Sequence, residues 1–254
     1  MKIDFDYAYD HPCYRPRFPE ELFDRLAGRF GIGQPGQQVL DLGTGSGTMA
    51  RAYARRGCIV TAVDPEPTQI EEAKKLTQQG GPPVMYVQAR AEQTGFPDRT
   101  FDVVAAGQAW HWFEGRMAAY EARRVLKPRG FLVIIYLDWV ALPNNVADVT
   151  ESLIEKHNPA WRFRGWSGFN PLWMNDAAAA GFVELESFSF DVPVLYSHEY
   201  WRGRVRDSAG IGSALPPAAV MRFDEELARV LKERFPSDPI SVPHRAYTIV
   251  GRAP

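Results

Sequence analysis

Three glycines spaced two apart, Gly43, Gly45 and Gly47, follow an acidic residue, Asp41, in the run VLDLGTGSGT at residues 39–48. Glycine admits backbone angles that other residues avoid and lets the main chain approach a ligand closely. A helix that begins directly after such a turn presents unpaired amides to whatever sits in front of it. A dinucleotide-binding loop would read G-x-G-x-x-G, and here Thr48 stands at the third glycine position. Further on, VTAVD ends at Asp64, at the distance where a carboxylate accepts hydrogen bonds from both hydroxyls of a ribose. The alternative for Asp64 is a cap on the helix that follows. AAGQAWHWF, residues 105–113, crowds Gln108, Trp110, His111 and Trp112 into one turn. Histidine changes charge near neutral pH, so His111 suits a general base, with packing or hydrogen bonding as the competing role. Of Trp110 and Trp112, one would cover a ligand and the other fill an interface. Tyr14-Arg15 offers a guanidinium that forks onto a carboxylate, or a surface charge beside Arg17.

The elements that must hold these residues alternate along the first half. Short, unalternating apolar runs at 38–42, 58–63, 84–88, 102–106 and 131–137 read as strands. Helical patterns at 49–56, 67–79 and 115–126 lie between some of them, the last ended by Lys127-Pro128-Arg129-Gly130, a proline–glycine stop. Unalternating strands fit a parallel sheet covered on both faces, and strands alternating with helices imply right-handed crossovers. Ligands in such sheets sit at the carboxyl ends of the strands, where the strand order reverses. In the second half, VADVTESLIEKH reads as a helix, followed by the aromatic, arginine-bearing WRFRGWSGF. Helices are expected at 175–180, 198–208 and 223–235, and strands at 183–192 and 246–250. The predicted fold is α/β: a Rossmann-like, doubly wound, mostly parallel seven-stranded sheet with helices on both faces and a helical, aromatic insertion after strand five. With no repeat and no low-complexity linker, residues 1–254 are expected to form a single domain. Residues 1–137 would be a ligand-binding core, about 138–240 a cap with the final sheet strands, and 241–254 the last strand.

Composition narrows the function. The chain has 254 residues, 45% of them hydrophobic, enough for one sizeable core or a core plus a subdomain, and a formal net charge of −2. Proteins that neutralise phosphates usually carry a basic excess, so nucleic acid is disfavoured as a partner. Neither Cys13 nor Cys58 has a second cysteine at metal-ligand spacing, so no metal is expected. The mixed N-terminus lacks the apolar centre of a signal peptide, and no stretch approaches a membrane span. A reduced, cytoplasmic protein, monomer or homodimer, with no membrane partner is expected.

The run Asp41-x-Gly43-x-Gly45-x-Gly47 resembles motif I of class I methyltransferases. The segment QARAEQTGFPDRTFDVV resembles the stretch after the third strand in that family. Gln108-Ala109-Trp110-His111-Trp112-Phe113 resembles a small-molecule subgroup that includes trans-aconitate methyltransferases, as do YRPRFPEEL and VLKPRG and, more loosely, RDSAGIGSALP and AYTIVGRAP. The likeness is strong to about Leu137 and weak beyond. It implies S-adenosyl-L-methionine as cofactor and S-adenosyl-L-homocysteine as product, and in-line methyl transfer to a small-molecule acceptor, expected at carboxylate or hydroxyl oxygen. By resemblance, the glycine loop with Thr44 wraps the methionine part, and Asp41 holds its amino end. Asp64 and Pro65 take the ribose, Ala91 and Glu92 lie along the adenine edge, and Gln108 and Trp110 lie near the sulfonium. Tyr14 and Arg15 fold over the cofactor, and His111 and Gln108 are the candidate catalytic residues.

Alternatives are transfer to nitrogen or carbon, a nicotinamide-dependent oxidoreductase, and a non-catalytic cofactor-binding module. A macromolecular methyltransferase is a further alternative, whose adenine- or glutamine-directed members usually show Asn/Asp-Pro-Pro-aromatic where this chain has AAGQAW. The acceptor pocket is expected among Trp139, Trp161, Phe163, Arg164, Trp166, Trp173, Tyr200, Trp201, Arg204 and Arg206, since aromatic walls with a few polar groups suit small molecules.

Overall fold

The computed structural model describes residues 9, 10 and 14–254, with backbone alone at 9, 10 and 15. The chain divides into two compact units. The larger comprises Phe18–Leu137, Asn170–Phe190 and Ala246–Pro254; the smaller comprises Asp138–Phe169, Asp191–Arg245 and the described residues up to Arg17. The larger unit therefore takes in, beyond the expected 1–137 core, two later stretches of the chain, and it leaves the N-terminal stretch to the smaller one.

Two short strands, β1 (Tyr9–Asp10) and β2 (Arg15–Pro16), pair antiparallel. Helix α1 (Glu20–Phe30) is followed by β3 (Gln38–Leu42), α2 (Thr48–Arg55), β4 (Ile59–Asp64), α3 (Pro67–Gln78), β5 (Val84–Gln88), β6 (Phe101–Gly107), α4 (Gly115–Val125) and β7 (Leu126–Trp139). Then come α5 (Val146–His157), α6 (Trp173–Ala179), β8 (Val183–Tyr196), α7 (His198–Arg206), α8 (Pro217–Arg234) and β9 (Ile240–Arg252). The sheet has seven strands in the order β5-β4-β3-β6-β7-β9-β8, and the first five are parallel. From β3 the chain winds outward through β4 and β5, then returns to place β6 and β7 on the other side. The order thus reverses between β3 and β6, where a doubly wound sheet opens a crevice at its carboxyl edge.

Successive residues of a strand point to opposite faces, and here both faces are apolar. Val39, Val103, Val133 and Ile135 pack on one face with Leu22, Phe23 and Leu26 of α1 and Met49, Ala50 and Tyr53 of α2. Leu40, Val104, Leu132 and Ile134 pack on the other with Ala118, Ala119 and Ala122 of α4 and Trp173 and Ala177 of α6. Burial on both sides explains why the strands read as unbroken apolar runs rather than alternating ones. The smaller unit has its own core, in which Trp139, Tyr196, Trp201, Phe223, Leu227 and Val242 are buried together.

The proline–glycine run after α4 differs from expectation. The helix stops at Val125, but Lys127–Gly130 continues straight into β7. A register shift between the pairs Phe101–Leu126 and Val103–Phe131 absorbs the extra residues. The Arg129 amide donates to the Ala253 carbonyl at 3.1 Å and the Ala253 amide to Gly130 at 2.8 Å. A bulge of this kind tolerates a proline because its missing N–H leaves no partner unsatisfied. Helix α8 starts at Pro217, six residues before the expected start at 223, since a proline at the first helical position is pre-organised rather than disruptive.

Candidate functional site

The turn after β3 is shaped by three left-handed glycines, with φ of 64° at Gly43, 53° at Gly45 and 86° at Gly47. Their surroundings differ. A Cβ on Gly43 would lie 2.7 Å from Ala109 Cβ and 2.8 Å from Phe113 Cζ, so this glycine admits close packing of the loop on the turn after β6. A Cβ on Gly47 would strike the Tyr86 hydroxyl at 2.4 Å. At Gly45 the nearest atom is Gln69 Oε1 at 3.8 Å, so a Cβ there would make only ordinary contact. The loop is pinned by backbone bonds from Thr44 to Val63 and from Gly47 to Thr44, both 2.9 Å, and by Arg51, which donates to the Ser46 carbonyl.

Two carboxylates hold the cradle. Asp64 is 8% exposed; its Oδ2 accepts the Gly45 amide at 2.9 Å and its Oδ1 the Glu66 amide at 3.0 Å. The ligand and cap readings of this residue are therefore compatible, because each carboxylate oxygen retains a second lone pair. Asp41 is 1% exposed; its Oδ2 accepts from the Thr44 hydroxyl at 2.6 Å, whereas its Oδ1 is buried without a hydrogen-bond partner among the described residues. Burial pushes the Asp41 carboxyl up to about 7, helped by the neighbouring Asp64 charge and opposed by the Thr44 hydroxyl, the Ala50 amide and Arg51. A buried oxygen without a donor is costly unless something else supplies one.

The other expected residues follow the carboxyl ends of adjacent strands. Pro65 is exposed after β4, its carbonyl accepting from Gln88 at 3.0 Å. Ala91 is buried, and Glu92 accepts the Glu114 amide at 3.0 Å while pairing with Arg90 at 3.3 Å. Gln108 leaves β6 with φ of 57°, a left-handed angle uncommon outside glycine. Its side-chain amide donates to the Leu137 carbonyl and accepts the Leu137 amide at 3.2 Å. That amide clamps the end of β7. Trp110 is 2% exposed and donates its indole N–H to Asp176 on α6 at 3.1 Å. It is the packing member of the pair, and Trp112, 78% exposed, is the free-standing one. His111 is exposed, its ring 4.9 Å from Trp112 and 5.9 Å from Tyr136. Asp41, Gly43, Thr44, Gly45, Gly47, Asp64, Pro65, Ala91, Glu92, Gln108 and Trp110 all belong to the larger unit; Tyr14 belongs to the smaller, its ring 5.2 Å from Tyr200. The Arg15 side chain lies outside what the structure describes.

Residues 40–134, from β3 into β7, match the family described as a methyltransferase domain. A protein described as a type II methyltransferase from Anaeromyxobacter dehalogenans superposes with a TM-score of 0.66 at 25% identity, covering 94% of this chain and 98% of that one. Over residues 40–134, then, the chain is similar to the methyltransferase domain of class I enzymes. An uncharacterized methyltransferase of Mycobacterium tuberculosis is 33% identical over 132 residues, 50% of this chain and 51% of that protein, so this chain spans about half the length of that relative. An uncharacterized methyltransferase of Schizosaccharomyces pombe is 29% identical over 230 residues, 88% of this chain and 84% of that protein.

Three supporting residues escaped the sequence reading. Arg51, five positions after Ser46 on α2, was legible in principle as a helix-first-turn side chain reaching back to the loop. Tyr86, bonded to Thr77 at 2.9 Å under Gly47, and Asp176, which anchors Trp110 across 66 residues, carry no local signal.

Proposed function

We propose that the protein transfers a methyl group from S-adenosylmethionine to an oxygen, carboxylate or hydroxyl, of a small molecule. The observation that carries the reading is the cradle itself. A Cβ on Gly45 would meet only Gln69, at 3.8 Å, and beside it Asp41 Oδ1 is buried with no hydrogen-bond donor among the described residues. The residues fit the cofactor: an ammonium would satisfy Asp41, and Asp64 has lone pairs left for a diol. Glu92 and Ala91 would border the base, and Gly43, Thr44 and Gly47 keep the loop in shape. When bound, the cofactor supplies a methyl group on a positively charged sulfur that leaves as a neutral thioether.

Because the leaving group needs no activation, the chain's main work is alignment and exclusion of water. Alignment of this kind is worth on the order of 7–11 kcal/mol in favourable cases. Gln108 acts here as a positioning residue that holds the end of β7. Trp112, exposed on the turn after β6, is the side chain available to cover the ligand. His111 serves as base where the acceptor is a hydroxyl, whose proton must leave, and is dispensable where it is a carboxylate, which carries none. The absence of a basic excess and the AAGQAW turn support a small acceptor over a macromolecule. We assign cofactor binding to the larger unit and acceptor recognition to the smaller, in one methyltransferase made of the whole chain. Among the described residues no helix is long and apolar enough to cross a membrane, and a cytoplasmic location suits the reduced, buried Cys58.

The test is calorimetric titration of the purified chain with S-adenosylmethionine, S-adenosylhomocysteine and NADH. Micromolar binding of the two sulfur compounds without NADH supports the reading. Binding of NADH alone, or of none of the three, overturns it.

A further inference from the structure

A second polar centre lies wholly within the smaller unit, where α7 carries Arg204. Its side chain is 10% exposed, and its Nε is buried without a hydrogen-bond partner among the described residues. The nearest carboxylate, Asp138, stands 3.5 Å from one terminal nitrogen, and its Oδ1 already accepts the Trp139 amide at 2.9 Å. The guanidinium carbon sits 4.8 Å from the centre of the Trp139 ring. That ring is itself held, since its indole N–H donates to the buried Glu151 at 2.9 Å.

A guanidinium has five donors in a planar fork. Burying it without acceptors is costly unless an anion or a polar ligand completes the set. Trp139 takes one face of the plane, so the unmet demand lies at the edge, the part that matches the two oxygens of a carboxylate or phosphoryl group. His244, 1% exposed, is pushed down to about 3 by burial and by the Arg204 charge, so it stays neutral at physiological pH. The neighbouring carboxylates Asp138 and Glu151 are each engaged with Trp139. Asp138 and Trp139 are also the last two residues of β7, directly after Leu137, which Gln108 grips. Helix α7 is seated against Tyr14, which a Cβ at Gly203 would approach to 2.6 Å.

We propose that Arg204, backed by Trp139 and tuned by Asp138, is an anion-binding subsite that anchors a carboxylate or phosphoryl group of the methyl acceptor. The inference rests on the methyltransferase reading only in calling the ligand an acceptor; the anion site stands on its own contacts. Titrations of the full chain with benzoate, phenyl phosphate and neutral benzamide, with and without S-adenosylhomocysteine, test it. Benzoate or phenyl phosphate should bind at millimolar concentration or better and benzamide should not; the tighter of the two anions names the group. Arg204→Gln should weaken the anion by about tenfold or more, with Arg204→Lys between, because the fork is lost but the charge kept. Asp138→Asn keeps an acceptor for the Trp139 amide yet removes a competing charge, so it should tighten anion binding, a direction that a purely structural pair would not produce. The proposal is overturned if neither anion binds, if benzamide binds as well as benzoate, if Arg204→Gln binds anions unchanged, or if Asp138→Asn weakens them. Should Arg204→Gln fail to fold, the benzoate–benzamide contrast and Asp138→Asn decide. Loss of S-adenosylhomocysteine binding with anion binding intact would count against the cofactor reading alone.

Discussion

Gly43 and Gly45 share a left-handed backbone but not an environment, and a methyl group added at each should separate folding from binding. Gly43→Ala meets Ala109 and Phe113, so overpacking of about 1–3 kcal/mol adds to the left-handed strain and the melting temperature should drop. Gly45→Ala has room, so it should melt closer to wild type and lose S-adenosylhomocysteine affinity by more than Gly43→Ala loses per degree of melting temperature. Equal effects in calorimetry and melting would show that Gly45 does not border the ligand. Asp64→Ala removes the acceptor of the Gly45 and Glu66 amides together with the proposed ribose contact, and should weaken the cofactor by about 1–3 kcal/mol. An unchanged Kd would rule out the assignment. For His111 the discriminating measurement is the pH–rate profile. With a hydroxyl acceptor, His111→Ala should lower turnover and change the shape of that profile, and a variant with full turnover across pH would eliminate the base.

At the level of elements, the turn after β6 divides its two tryptophans between fold and surface. Trp110 fills the space among α4, α6 and the sheet, and its indole proton is satisfied by Asp176. Trp110→Ala should therefore cost about 3–5 kcal/mol, and Asp176→Ala, which strands a buried donor, about 1–3 kcal/mol. Trp112→Ala, at an exposed position, should stay within about 0.5 kcal/mol of wild type while weakening cofactor or acceptor binding. Denaturant unfolding beside turnover checks all three; a large stability loss in Trp112→Ala would place that side chain in the fold after all. The same logic applies to β7. Its first residues are held by the chain's last strand and its final ones by the Gln108 amide, so Gln108→Ala should loosen the end of β7 and lower kcat more than it raises KM.

Across the whole molecule, two buried titratable groups set opposing pH responses, one in each unit. Asp41 has a folded value of about 7 against an ordinary 3.8, so between these values the folded chain holds a proton that the unfolded chain has lost. Stability from this group is present at low pH and is lost as pH rises toward 7. His244 is held at about 3 against an ordinary 6.5, so between these values the unfolded chain takes up a proton that the folded chain refuses. Stability from this group is present above 6.5 and is lost as pH falls toward 3. In wild type the two slopes partly cancel between pH 4 and 6.5. Asp41→Asn should leave a curve that rises with pH across that window, and His244→Asn one that falls. Unfolding free energies at several pH values report this directly, and parallel curves for all three proteins would refute both assignments.

Much of the fold was legible because local pattern and burial agree. The strand at 84–88 and the helix at 146–157 occur with the expected bounds, and the strand after the glycine loop differs by one residue at each end. Apolar runs and helical periodicity depend on neighbours a few residues away, and glycine loops and caps are equally local. The chain therefore determined by itself the order of the elements from β3 onward, though not α1 or the β1–β2 pair before it, the seven strands of the sheet, and the gathering of Asp41, the glycine loop, Asp64, Glu92 and Gln108 at strand ends. Tertiary structure decided what those residues can do. Asp41 is pushed up to about 7 because burial in the folded chain takes water from it, and Trp110 rather than Trp112 is buried because Asp176, far along the chain, packs beside it. Lys127–Gly130 became strand because Ala253 came to pair with it. Arg204 became a buried, underbonded cation because α7 packs it against Trp139. Each of these outcomes depends on desolvation and on partners remote in sequence, quantities that no local pattern of residues contains.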